Sequence, residues 1–213
     1  MKKSILGVVC SLCAAVLFSA SVAGAKAFTV YGSDTPSAYS VYFEGQAEPT
    51  EAIPVTFPAA VWTPGKWITL NNPDQTWPMG PATGNLPGSY FYLTTFDLTN
   101  FDPATAILKI SWASDNVSEL FFNSNRIGST PGGDNSYRQL TTATITDGFI
   151  DEINFLLFVV ENGPWGDAPY TNPTGLLVQI DSATADPVPE PSTFLLLAGG
   201  IAAIGFARRR MKR

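Results

Sequence analysis

Histidine is absent from the 213 residues of this chain, and its only two cysteines, Cys10 and Cys13, lie near its start. The central part of the chain therefore cannot build a Ser-His-Asp or Cys-His nucleophile system, a His- or Cys-ligated zinc, haem or iron–sulfur centre, or a disulfide. Charge is scarce as well: 14% of residues are charged, against about a quarter in ordinary soluble domains. Two uncharged apolar stretches near the ends account for part of that deficit. Long helical periodicity is also missing, since no window between the ends repeats apolar residues at helical spacing for more than two turns.

The N-terminus has the three-part layout of a secretory signal peptide: Lys2 and Lys3, an apolar run over residues 5–18, then small residues over 19–25. That run falls short of the roughly 20 residues a spanning helix needs, so it reads as a cleaved leader helix rather than an anchor. Ala23-Gly24-Ala25 supplies a small-x-small cleavage signal and Ala25-Lys26-Ala27 a second, which places the cut before Lys26 or before Phe28. Val9 and Leu12 precede the cysteines where a lipoprotein signal needs a small residue. The implied partners are the Sec translocon and signal peptidase.

Near the C-terminus stand Val188-Pro189-Glu190-Pro191-Ser192, then an uncharged apolar stretch over residues 194–207, then Arg208, Arg209, Arg210, Lys212 and Arg213. Prolines stop both helix and strand, so the first feature is an extended lead-off from a folded domain. The apolar stretch reads as a short transmembrane helix helped by arginine snorkelling, inserted transiently, with the basic cluster on the cytoplasmic side. The triplet closely resembles the PEP-CTERM sorting signal of exported proteins in Gram-negative bacteria that make exopolysaccharide. The resemblance implies that an exosortase, a membrane cysteine protease, cuts or transfers the chain at Pro189, Glu190 and Pro191, with Arg208 to Arg210 as the basic stop. It also implies residence in the cell envelope, at the outer surface or in the extracellular matrix.

Residues 1–25 are thus read as signal peptide, 26–185 as one domain and 186–213 as the sorting signal. Between residues 26 and 187 the only basic side chains are Lys26, Lys66, Lys109, Arg126 and Arg138, against all but one of the 18 Asp and Glu. Such an excess repels phosphate backbones, which excludes nucleic acid as a partner, and attracts divalent cations. Alternation and β-branched or aromatic content predict strands over 39–43, 67–70, 90–98, 106–112, 138–145, 153–160 and 176–181. A hairpin is predicted from 120–123 to 126–128 around Ser124-Asn125. With Pro/Gly-rich turns between them, these elements predict an all-β, two-sheet antiparallel β-sandwich, most simply a jelly roll.

The run from Gly88 to Arg126, with Thr94-Thr95-Phe96-Asp97-Leu98-Thr99 and Trp112-Ala113-Ser114-Asp115-Asn116, resembles the exported domains of many PEP-CTERM proteins. Those are similar to the galactose-binding-like jelly roll of carbohydrate-binding modules, so the resemblance implies exopolysaccharide as a candidate ligand. Sugars bind through aromatic faces and through amides and carboxylates on their hydroxyls. Of the five tryptophans, Trp112 and Trp67 read as core, while Trp77 and Trp165 sit in Pro/Gly loops and are the glycan-stacking candidates. Asp115, Asn116 and Glu119 form a candidate structural Ca²⁺ cluster, and Asp147, Asp151 and Glu152 a second acidic group, neither with EF-hand spacing. No catalytic residue is selected. The reading is non-enzymatic, either lectin-like or purely structural, with a carboxylate-dependent glycoside hydrolase acting on exopolysaccharide as the alternative.

Overall fold

The computed structural model describes residues 24–55, 62–70, 85–133, 135–164 and 172–188, with residues 199, 200, 204 and 208–210 of the tail. The chain divides into two units, one of Ala25–Val188 and the other of Met1–Gly24 with Pro189–Arg213. In the second, the described residues 199, 200, 204 and 208–210 are helical and exposed. No helix among the described residues is long and apolar enough to cross a membrane. The leader helix predicted over 1–25 and most of the stretch 194–207 lie outside the described residues.

Among the described residues the first unit holds twelve strands: β1 Lys26–Ala27, β2 Ser40–Phe43, β3 Thr50–Glu51, β4 Ile53–Val55, β5 Trp67–Thr69, β6 Gly88–Asp97, β7 Ile107–Asp115, β8 Val117–Phe122, β9 Asn125–Ser129, β10 Thr141–Ile145, β11 Ile153–Asn162 and β12 Gly175–Ala185. One short helix, α1, spans Asn135–Arg138. All pairings are antiparallel. Sheet A runs β10-β7-β12-β5-β4 with β1 also on β12, and sheet B runs β3-β2-β6-β11-β8-β9. Numbered from β5 as the first of eight strands, the sheets read 6-3-8-1 and 2-7-4-5, the interlocked Greek keys of a jelly roll.

The core lies between the sheets because alternate residues of the long strands are apolar. In β7, Leu108, Ile110 and Trp112 point inward; Tyr90, Tyr92 and Phe96 of β6, Leu156, Phe158 and Val160 of β11, and Leu176 and Val178 of β12 meet them. Trp112 is 1% exposed and packs edge-on against Phe158 at 6.3 Å. Each such side chain contributes about 1.5–3 kcal/mol on burial. The indole Nε1 of Trp112 donates to Ser118 Oγ at 3.2 Å, and Ser118 in turn meets Ser114 Oγ at 2.8 Å. The polar atom that Trp112 brings into the core is thereby satisfied.

Three details depart from the sequence expectation. The hairpin turn falls one residue earlier than predicted, on Asn123 and Ser124, whose φ values of 44° and 69° form the two left-handed positions of a tight turn. The strand predicted over 138–145 begins only at Thr141, because Ser136 N bonds Gly133 O and Ser136 Oγ bonds Pro131 O, closing α1 ahead of it. The strands β1, β3 and β4, of two or three residues each, lie outside the sequence expectation.

Part of sheet A is also buried on its outward side. Val55, Trp67, Leu177 and Ala113 lie in one row across β4, β5, β12 and β7, paired in register strand to strand. Trp62 covers this row, edge-on to Trp67 at 4.9 Å and stacked on Tyr137 at 4.8 Å. The indole of Trp67 donates to Thr63 O at 2.9 Å, and Thr63 N donates to Tyr137 O at 2.8 Å. This second, smaller cluster explains why Ala113 is fully buried although it faces away from the main core.

Candidate functional site

At one end of the sandwich β5, β7 and β11 finish while β6, β8 and β12 begin. Register places Gly175 opposite Asp115, Asn162 opposite Gly88 and Glu161 opposite Val117. This end is built from asparagines. Asn116 Oδ1 accepts from Gly163 N and from Asn172 Nδ2, each at 2.8 Å. Asn172 Nδ2 also donates to Gly163 O at 2.8 Å and to Asn162 Oδ1 at 3.0 Å. Asn162 Nδ2 donates to Leu86 O at 3.1 Å and to Asn85 O and Asn172 O at 3.3 Å. A backbone bridge from Asn85 N to Asn172 O at 3.1 Å closes the set.

Asp115 is 3% exposed; its Oδ1 accepts from Asn116 Nδ2 at 2.9 Å and its carbonyl from Thr174 Oγ1 at 2.7 Å. Beneath it burial pushes the Tyr92 phenol well above the ordinary tyrosine value, and the Asp115 carboxylate adds to that push. Burial likewise pushes Tyr90 up to about 12, while its hydroxyl donates to Leu86 O at 2.9 Å. Asn85 Oδ1 and the Tyr92 hydroxyl are both buried here, the hydroxyl beside Thr69 and Thr174.

The two stacking candidates, Trp77 and Trp165, lie outside the described residues, but the residues bounding their segments do not. Thr69 Oγ1 donates to Thr174 O at 2.9 Å, and Asn85, Asn162, Gly163 and Asn172 are tied together as above. The described residues that bound both segments thus lie at this one end of the sandwich. The Ca²⁺ candidates separate. Asp115 closes β7 in sheet A, whereas Glu119 sits within β8 in sheet B and holds Arg126 Nε at 2.8 Å. Among the described residues no group of three or more His, Cys, Asp or Glu is disposed to hold a metal ion. Asp147, Asp151 and Glu152 are exposed, and their loop is organised by Asn154, a fully buried residue with no sequence signal beyond its place in a strand. Asn154 Oδ1 accepts from Ile150 N at 2.9 Å and from Asn123 Nδ2 at 2.7 Å. Ala23, Pro189, Glu190 and Pro191 lie outside the described residues, while Ala25 is exposed and Arg208, Arg209 and Arg210 are helical and exposed.

Fold and loop end together define a jelly-roll sandwich with a polar, amide-built end. The chain also carries a PEP-CTERM protein-sorting motif, matched over residues 187–211. No curated protein sequence matches the chain. Among solved structures it is similar to an FMN-binding β-glucuronidase from Facaelibacterium prausnitzii L2-6, at 17% identity and a TM-score of 0.39, over 73% of this chain and 23% of that one. It therefore spans under a quarter of that enzyme's length. It is also similar to a family 35 carbohydrate-binding module from an environmental isolate, at 14% identity and a TM-score of 0.30, over 70% of this chain and 98% of that one. A third likeness is to Xyl-CBM35 in complex with a glucuronic acid containing disaccharide, at 13% identity and a TM-score of 0.28, over 70% and 98%.

Proposed function

We propose that this chain is an exported bacterial protein of the cell envelope or extracellular matrix, sorted by an exosortase at Pro189, Glu190 and Pro191 after its leader is cut behind Ala25 or Ala27. The observation that carries the reading is the sorting motif over residues 187–211. Replacement of Glu190 and Pro191 by Ala leaves the tail on the mature protein, read by mass; normal maturation would refute the assignment.

In this reading the sandwich binds a surface partner without turning it over, and the partner class is exopolysaccharide. Supporting it are the amides gathered at one end and the presence there of the described residues bounding the segments that carry Trp77 and Trp165. Titration with the host's own polysaccharide then shifts tryptophan emission, and Trp77→Ala and Trp165→Ala reduce the shift. An unchanged spectrum assigns the domain to a structural matrix role, and sugar release replaces binding by hydrolysis. Calcium enters only through Asp115 and Asn116, and a Tm unaffected by chelator removes it.

A further inference from the structure

No spacer separates the folded domain from its sorting motif. Asp186 O accepts the amide of Asp102 at 2.7 Å, Pro187 forms a bridge with Phe101, and Val188 N donates to Asn100 O at 2.8 Å. The next residue is Pro189. Beside this anchored end lies an open depression of about 570 Å³ lined by Phe28, Tyr31, Thr95, Asp97, Phe101 and Ile153. Its apolar surface is uncovered: Tyr31 is 45% and Ile153 54% exposed, and Val188 at the adjoining chain end is 51% exposed. Isolated exposed apolar residues need no explanation, but a contiguous group does.

Chain geometry limits how far the motif can lie from this face. An extended residue advances at most about 3.6 Å, so Pro191 lies within roughly 11 Å of Val188 along the chain. A protease that grips Pro189-Glu190-Pro191 in an extended form therefore has the domain end against its own surface. The residues it would hold upstream of the motif are already committed to the fold. With the sorting reading above as its premise, we infer that the end face formed by Tyr31, Phe101, Ile153 and Val188 is a docking surface for the exosortase, which reads this folded surface together with the motif.

The test follows loss of the tail by mass against time in the host with its own exosortase. Ile153→Asp and Tyr31→Ser alter exposed side chains, leave the motif intact and slow maturation about fivefold or more, a loss typical of an interface contact. Thermal melts of both variants show the fold retained. A flexible spacer of about 12 residues between Val188 and Pro189 also slows maturation, since it dilutes the surface relative to the motif. Faster maturation with the spacer, or wild-type rates for both face variants, overturns the proposal and makes the domain end a mere obstruction. Wild-type maturation of Ile153→Asp, joined to weaker membrane association in cells lacking the exosortase, overturns it in favour of a lipid contact. The Glu190→Ala, Pro191→Ala chain separates the premise from the inference: if it loses its tail normally, the sorting reading itself fails.

Discussion

Asn172 and Asn162 meet side chain to side chain, Asn172 Nδ2 donating to Asn162 Oδ1 at 3.0 Å, between the two ends of the segment that carries Trp165. Asn172 Nδ2 is directed at three acceptors: Asn116 Oδ1, Asn162 Oδ1 and Gly163 O. Asn172→Ala therefore lowers stability by about 2–3 kcal/mol, because partly buried partners lose their donor. Asn172→Asp is worse than Ala, since it points a carboxylate at those oxygens. Urea midpoints rank the two variants; an Asp variant as stable as wild type would remove the network from the account of this end.

Ser124 occupies a left-handed position at φ 69° that costs an ordinary residue about 1–2 kcal/mol and glycine almost nothing. Ser124→Gly raises stability, by up to about 1 kcal/mol once the looser unfolded chain is counted. A thermal melt with a lower Tm would contradict this assignment of the turn.

Trp62 roofs the outward cluster of sheet A and is 6% exposed. Trp62→Ala should cost about 3–5 kcal/mol, the range for deleting a buried aromatic. Near-ultraviolet dichroism should lose the signal of the Trp62–Trp67 pair, whose rings cross at 82°. A change under about 1 kcal/mol would mean that the cluster is a surface ornament rather than a second core.

Burial raises the phenols of Tyr39, Tyr92 and Tyr90, the last to about 12. An unfolded tyrosine ionises near 10, so the native state holds these protons longer than the unfolded one. Their stabilisation is complete below pH 10 and is lost as pH climbs through the raised values, by up to about 1.4 kcal/mol per pH unit for each phenol. Stability measured by urea between pH 9 and pH 12 should fall steeply, and Tyr92→Phe should flatten the fall. At pH 7 Tyr39→Phe loses the 2.9 Å bond to Tyr31 O and about 1 kcal/mol.

The parts of this fold that were legible in sequence are those where alternation persists. Strands β6, β7 and β11 each run nine or ten residues, long enough for period two to show, and the burial of Trp112 followed from its place in that period. Trp67 also proved buried, but in the outward cluster, whose row contains Ala113, a residue too small to signal a covered face. Short strands such as β1 and β3 carry no period and are placed only by their partners. At the loop end, Asn85, Asn162 and Asn172 stand next to Leu-Pro, Gly-Pro and Pro, where asparagine reads as a turn former. Their convergence depends on pairings between residues up to 77 positions apart. The grouping of Asp115 with Glu119 failed to anticipate that the chain changes sheets between them: neighbours in sequence became members of opposite layers.

The last long strand of the chain is an interior strand of its sheet. β12 lies between β7 on one side and β5 on the other, and its final residue, Ala185, pairs with Lys26 from the first strand of the domain. A chain emerging from a pore in the N-to-C direction consequently cannot close sheet A until nearly all of it has come through. Such non-local pairing also makes for slow closure. Under the proposed export, completion of the sandwich and arrival of residues 189–191 at the pore exit fall at almost the same moment, so the sorting motif would become available only as the domain becomes able to fold.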